Sequence, residues 1–445
     1  MTSTARSDAG APAAARPPLA RAWLLWSLGA VFYCYGFFQR VAPSVMVDSL
    51  MRDFAVGAAI AGTLSSLYFY AYAGLQIPVG LLVDRFGPRR VLSVAALVGG
   101  AGSALFAAAD GLEAAYAGRA LIGAGAAFGW VATLSLAAAW FPARRFALVS
   151  GLTLAFGMAG GIGGQAPLAV LIDAVGWRAT LAGGAVFSLG LAVLIAIMVR
   201  DRPETPFAGG TGADDAAASA APAGSAPPRG LVAGLRAALA TAQVYPIALF
   251  GAAMSAPMLT FAALWGVPYL VARFEIDRPT AALVASAMLA GWAVGAPAGG
   301  WLSDRLGRRR LPMVVAASVA LASLTAAFYA PGLGLAAVAP LLVVNGLASG
   351  TMVVGFAAAR EHAPRWAAGS TIGIVNMAVM TSGALFQPLT GWLLDRAWDG
   401  GMRDGAPAYT RAMFDTALWP LLAMGVAGVV GALAVRETGC RPRGD

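Results

Sequence analysis

Arg40 and a run of tyrosines and amides are the residues of this chain best placed to do chemistry, since all of them stand inside otherwise apolar stretches. A guanidinium presents a planar fork of donors that matches a carboxylate or a phosphate, so Arg40 is a candidate anchor for an anionic group. The structural alternative is a snorkelling side chain paired with Asp48 or Asp53. Tyr68, Tyr72 and Gln76 are spaced four apart and so form one polar stripe on a helix. Tyr35, Gln165, Asn376 and Gln387 complete the candidate binding set. Each of these could touch a solute or merely bond across helices, which is worth about 0.6 kcal/mol on average.

A second group of residues repeats. Gly80, Asp84, Arg85, Gly87 and Arg89 recur 220 residues later as Gly300, Asp304, Arg305, Gly307 and Arg309, and Gln165, Leu171 and Asp173 recur at 222 as Gln387, Leu393 and Asp395. A glycine four residues before an aspartate lets two helices approach closely, and the aspartate can cap or pair at the end of a neighbouring helix. These loops are therefore expected to act as a conformational latch and not as a ligand site. The remaining acids offer little for catalysis. No Asp or Glu is expected in mid-membrane, the single histidine, His362, falls at a helix end, and an intramembrane enzyme would need clustered acids, bases or ligands. The chain is expected not to be an enzyme and to need no metal or cofactor.

The elements that must position these side chains follow from composition. The sequence is 59% hydrophobic and only 11% charged over 445 residues, against about 25% charged in soluble domains. A bilayer core about 30 Å thick needs roughly 20 apolar helical residues, and such runs recur twelve times, the first three at about residues 22–47, 57–82 and 91–109. The fold class is an all-α integral membrane protein with twelve transmembrane helices in two pseudo-symmetric six-helix bundles. The expected organisation is a disordered tail (1–21), an N-terminal bundle (22–199), a linker (200–243), a C-terminal bundle (244–436) and a short tail (437–445). The stretch from Arg202 to Arg229 is rich in Ala, Gly, Pro and Ser and cannot bury enough surface to fold.

All thirty basic residues are arginines. With both termini in the cytoplasm, the inner segments hold 21 of the 30, as short cytoplasmic loops should. The net charge of +9 is thus mostly a topology signal. Scattered over separate loops, these arginines do not form a nucleic-acid face. Cys34 and Cys440 are too far apart in the sequence plan to pair, and the first 20 residues lack the apolar core of a signal peptide. Parallel repeats suit a carrier whose halves rock about a central site, and the expected partners are a small-molecule substrate, a coupling proton or counter-solute, and the lipid bilayer. A monomer is expected.

The loop Gly80-Leu-Leu-Val-Asp84-Arg85-Phe-Gly87-Pro-Arg89-Arg90 and its echo at Gly300 to Arg310 resemble the signature loop of the major facilitator superfamily. With twelve helices and a central linker, the likeness covers nearly the whole chain. Tyr-Gly-Phe-Phe-Gln-Arg40-Val-Ala-Pro-Ser-Val-Met and Tyr68-Phe-Tyr-Ala-Tyr72 resemble proteobacterial uptake members, including phagosomal nutrient transporters. The resemblance implies a secondary transporter of the bacterial cytoplasmic membrane. Organophosphate and organic-anion members carry an arginine at the place of Arg40. The organophosphate members also carry a lysine where this chain has Gln76 and a second arginine near Thr260, so the resemblance implies a carboxylate or an amino acid in preference to a phosphate ester. Arg119, in Arg119-Ala-Leu-Ile-Gly123-Ala-Gly125, resembles a motif tied to proton coupling, while glycines at this spacing also serve tight helix packing, the structural reading that the residues themselves favour. Related symporters place acids near Ala126 and Gln39, and both are missing here. Arg119, with Asp48 and Glu361 at helix ends, makes up the candidate coupling set. An exporter of drugs or metabolites with the same fold is the alternative; its usual Gly-Pro pair in the fifth helix is absent from Gly157 to Pro167.

Overall fold

The computed structural model describes residues 19–202 and 231–441. The expected N-terminal tail before residue 19 and the low-complexity linker segment lie outside the described residues. Among the described residues nine helices are long and apolar enough to cross a membrane, or eleven when each of two bent pairs is taken as one span. Leu19–Val41, the first helix, whose tyrosines, glutamine and arginine make it more polar, brings the spans to twelve. The outward faces are studded with exposed apolar side chains such as Val186, Ile197, Leu283 and Val294, as a hydrocarbon solvent requires.

The first helix is shorter than expected. It stops at Val41 instead of near residue 47, because Pro43 has no N–H to continue the ladder; a 3-10 turn at Ala42–Val45 and a short helix at Val47–Asp53 follow. The second and third helices are assigned as one element, Ala58–Ala107, interrupted at Gly87, whose φ of 78° is open to glycine alone at low cost. The fourth and fifth helices each divide at glycine-rich breaks, at Ala127–Phe128 and Gly164–Gln165. The region expected to be linker also contains a helix, Leu231–Ala240, which packs beside the start of the eleventh helix with Gly234 against Ser370.

The seventh helix, Val244–Phe274, is the most enclosed span. It widens into a π-turn over Pro257–Trp265, a distortion often found at functional sites. The eighth helix, Arg278–Leu306, is capped at its start by the Asp277 carboxylate, which accepts from Thr280 N, and at its end by Gly307 at φ 61°. The eleventh helix runs from Ala368 to Ala397. The ends of these spans alternate, which defines a terminal end, where the first helix begins and the twelfth stops, and a far end. The halves meet at the far end through the second helix against the eleventh and the fifth against the eighth.

Candidate functional site

Arg40 is the penultimate residue of the first helix and only 4% exposed. Its guanidinium lies 4.1 Å from the Phe37 ring centre, 5.3 Å from that of Tyr72 and 5.6 Å from that of Tyr68. Among the described residues no carboxylate comes within 4 Å of it. Asp48 instead faces Arg278 at 3.7 Å, and Asp53 faces Arg52 at 3.3 Å and accepts from Trp177 Nε1 at 2.8 Å. The snorkelling pair considered above is thus not the arrangement adopted: the helix ends at Val41, and the ring cage turns the guanidinium inward. Among the described residues the Arg40 Nε–H has no acceptor. Tyr72 stands one turn before Gln76 on the second helix, with its ring centre 5.3 Å from the Arg40 guanidinium, and Asn376 Nδ2 donates to Gln76 Oε1 across the two halves. A polar chain therefore runs from Arg40 through Tyr72 and Gln76 to Asn376, ending in two half-buried amides.

Tyr68 also borders Arg40, and the other expected site residues sit elsewhere. Tyr68 is fully buried, donates to Gly36 O, and has Arg40 near one part of its ring and Arg119 5.5 Å from its centre. Gly123 of the fourth helix packs so closely on the second that a Cβ there would stand 2.2 Å from Tyr68 O. Arg119 donates to the carbonyls of Gln39 (3.0 Å) and Ser65 (3.3 Å), tying together the first and second helices beside the site. Tyr35 joins Gln39 and Ser103 between the first and third helices. Gln165 and Gln387 are not in the Arg40 group. Both are buried, with amides donating to Ala262 O (2.6 Å) and Leu259 O (2.7 Å) of the π-turn.

The repeated loops form closed clusters within each half. Arg309, 8% exposed, grips Glu361 through Nε and Nη2 and donates through Nη1 to Asp304 (2.6 Å) and Ser303 (3.0 Å). In the N-terminal half Arg89 donates to Ala196 O, while Arg85 stacks on Phe86 and Arg305 on Trp301. Gly80 does not make the close approach expected of it: an added Cβ would meet nothing within 4 Å, because the halves have diverged at that end. At Gly300 it would meet only Val353, at 3.8 Å.

Two acids that sequence reasoning missed complete these clusters. Asp201, three residues past the sixth helix, accepts from Arg89 N at 2.7 Å; Glu437, three past the twelfth, accepts from Arg309 N (2.8 Å) and Arg310 N (2.9 Å). Each caps the start of the third helix of its own half. The signal was the repeated Val199-Arg200-Asp201 and Val435-Arg436-Glu437. Residues 437–441, expected to be a free tail, thus begin with a bound cap. Burial by itself would raise the Glu437 carboxyl, but backbone N–H donors from Arg309, Gly439, Arg310 and Thr438 outweigh it and hold the group below the usual glutamate range. A carboxyl depressed in the folded state contributes stability above its unfolded value of about 4.3, and that contribution is lost as pH falls through the depressed value. A helix cap is worth about 0.5–2 kcal/mol, and solvent screening at this exposed residue places the expected loss in Glu437→Gln at the low end. Melting in detergent at pH 7 should show a small drop for this variant, with the gap to wild type closing below pH 4. An equal gap at both pH values would contradict a charged cap.

The sequence profile of the Major Facilitator Superfamily matches residues 27–268 and 248–439, nearly the entire chain. The chain belongs to the Major Facilitator Superfamily. A probable sulfoacetate transporter of Cupriavidus necator is 29% identical over 175 residues, covering 39% of this chain and 40% of that protein. A putative tartrate transporter of Agrobacterium vitis is 24% identical over 180 residues, covering 39% and 40%. The matched region thus spans about two fifths of the length of these curated relatives. The crystal structure of a bacterial homologue of the human lysosomal transporter Spinster superposes with a TM-score of 0.71 at 17% identity, over 94% of this chain and 96% of that one. As a superfamily member the chain is a multi-pass membrane protein of a family of transporters, not of enzymes. A groove of about 680 Å³ between the ninth and twelfth helices, lined by Leu321, Ala326, Tyr329 and Val426 among others, has no charged lining residue and includes none of Arg40, Tyr72, Gln76 and Asn376.

Proposed function

We propose that this chain is a secondary active transporter of a small organic anion, a carboxylate or amino acid, across the bacterial cytoplasmic membrane by alternating access, with both termini inside. One observation carries the reading: Arg40 is a buried cation of the first helix, caged by aromatic rings, and among the described residues it has no carboxylate within 4 Å and no acceptor for its Nε–H. A buried charge costs several kcal/mol unless it is paired, and an anionic solute would supply the partner. Tyr72 and Gln76 of one half and Asn376 of the other would hold its remaining polar groups, which makes closure depend on the solute. The names of the two organic-acid relatives support the same class. With the termini inside, the closed far end makes the described state an inward-facing one.

Coupling is proposed to run by exchange of one organic solute for another, or by protons through helix-end acids such as Asp48 or Glu361, since no mid-membrane carboxylate is at hand. Proteoliposomes offered labelled sulfoacetate, tartrate and a panel of amino acids, with and without a pH gradient, test the proposal. Saturable uptake of at least one acid, competed by others, is expected. Uptake of neutral or cationic solutes alone would overturn it. Asp84 touches no part of the polar chain, so Asp84→Asn should slow flux far more than it weakens binding. A large loss of affinity at unchanged turnover would refute the latch role.

A further inference from the structure

Gly391-Trp392-Leu393-Leu394-Asp395-Arg396, at the far end of the eleventh helix, repeats the Gly-x-x-x-Asp-Arg pattern of Gly80 to Arg85 and Gly300 to Arg305, on the opposite side of the membrane. Here the contact is made. Asp395 Oδ1 accepts from Ala58 N and Oδ2 from Ala59 N, both at 2.8 Å, and the Tyr409 hydroxyl donates to Oδ1. The first N–H groups of a helix lack intrahelical partners and carry partial positive charge. The second helix has no side-chain cap of its own half, so the carboxylate of the other half is its cap. One turn earlier, a Cβ on Gly391 would stand 2.2 Å from Ala58 O, and one on Gly57 would stand 2.6 Å from Asp395 Oδ1. The glycines set the approach and the aspartate closes it.

At the terminal end the same parts are idle. Among the described residues Asp84 is exposed, with no hydrogen bond or ion pair, Gly80 has free space around it, and the eleventh helix starts at Ala368 with no side-chain cap, its Ser370 lying against Gly234 of the helix Leu231–Ala240, which must yield for Asp84 to reach it. The second and eleventh helices are antiparallel. The register set by Asp395 on Ala58 and Ala59 is kept to within two residues by Gln76 on Asn376, and carried onward it brings Asp84 opposite the stretch from Ala368 to Ser370.

Resting on the alternating-access reading, we infer that this module works on both sides of the membrane in turn. Gly391 and Asp395 seal the far end on the start of the second helix in the described state. In the opposite state that seal parts, Gly80 seats against the start of the eleventh helix, and Asp84 caps it at Gly369 and Ser370. Each of the two helices carries the module at its C-terminal end and receives its partner's at its N-terminal end. Asp395 and Gly391 are therefore positioning residues of the transport cycle.

The test is a pair of spin-label distances in the full-length protein, read by pulsed electron resonance without any solute, so that its failure is separable from failure of the anion reading. Labels at Asp110 and Pro331 report the far end; labels at Phe86 and Arg308 report the terminal end. Gly391→Ala and Asp395→Asn should lengthen the far-end distance and shorten the terminal one. Gly80→Ala and Asp84→Asn should hold or enrich the far-closed distribution, and Asp395→Glu should restore part of the closed population. Asp395→Asn adds no atoms, which guards against a variant that fails on packing alone. Unchanged distances in Gly391→Ala and Asp395→Asn, or a shift of all four variants in one direction, would overturn the inference.

Discussion

Arg40→Gln is expected to abolish high-affinity solute binding while leaving the protein folded. Arg40 is 4% exposed, its guanidinium stacked among Phe37, Tyr68 and Tyr72, and among the described residues no carboxylate within 4 Å shares its charge. Under the proposed function an anionic solute meets it in a partly desolvated place, and removing one member of such a pair costs about 2–5 kcal/mol. At about 1.4 kcal/mol per factor of ten, this is roughly a 30-fold to several-thousand-fold weakening. Arg40→Lys keeps the charge but loses the planar fork and the ring stacking, so an intermediate loss is expected. Stability should move little or rise, because a buried charge without a protein partner is a cost that glutamine relieves. The measurement is solute affinity of purified wild type, Lys and Gln variants, with melting in detergent as the control. Equal affinities across the three would remove Arg40 from the binding site and leave Tyr72, Gln76 and Asn376 to account for recognition.

Much of the fold could be read from the sequence because a bilayer admits few solutions. Apolar runs of spanning length must be helices, and the 220-residue offset of the Gly80 and Gly300 loops exposes the two halves. The site was legible only in part. A lone arginine in an apolar helix is conspicuous, and so is the four-residue spacing of Tyr68, Tyr72 and Gln76. Gln165 and Gln387 look the same as Gln76 in sequence, yet their amides are spent on carbonyls of the π-turn after Pro257, an irregularity that hydrophobic patterning does not encode. The Asp201 and Glu437 caps escaped because they recur at an offset of 236 instead of 220 to 222. The extra length lies in the connection between the eleventh and twelfth helices, which includes a hairpin pairing Met402–Arg403 with Ala406–Pro407. The third Gly-x-x-x-Asp-Arg was hidden by the same habit of looking for equivalents: the fifth helix has Ala169 and Ala174 where the eleventh has Gly391 and Arg396.

Glu361→Ala should be among the most damaging single changes away from the solute path. Its carboxylate receives Arg309 Nη2 at 2.7 Å and Nε at 3.0 Å, and both side chains are about nine-tenths hidden, at 9% and 10% exposure. Removing one partner of a buried pair strands the other charge, at a cost of about 3–5 kcal/mol. Asp304 remains within 2.6 Å of Arg309 Nη1, but at 69% exposure it is well solvated, so it offsets only a part and the low end of that range is expected. The Thr438 hydroxyl, which donates to Glu361, loses its acceptor as well. The double variant Arg309→Ala, Glu361→Ala leaves no stranded charge and should be more stable than Glu361→Ala alone, a non-additivity that only directly coupled residues show. Melting midpoints of the two singles and the double, compared at one scan rate because unfolding of such proteins is often irreversible, decide the matter. Additive losses would mean that the two side chains act independently and that the cluster is not one cooperative unit. If the double recovers stability yet remains slow in flux, the pair serves the cycle as well as the fold, and Glu361 stays a candidate for coupling; if flux recovers with stability, the coupling role passes to Asp48.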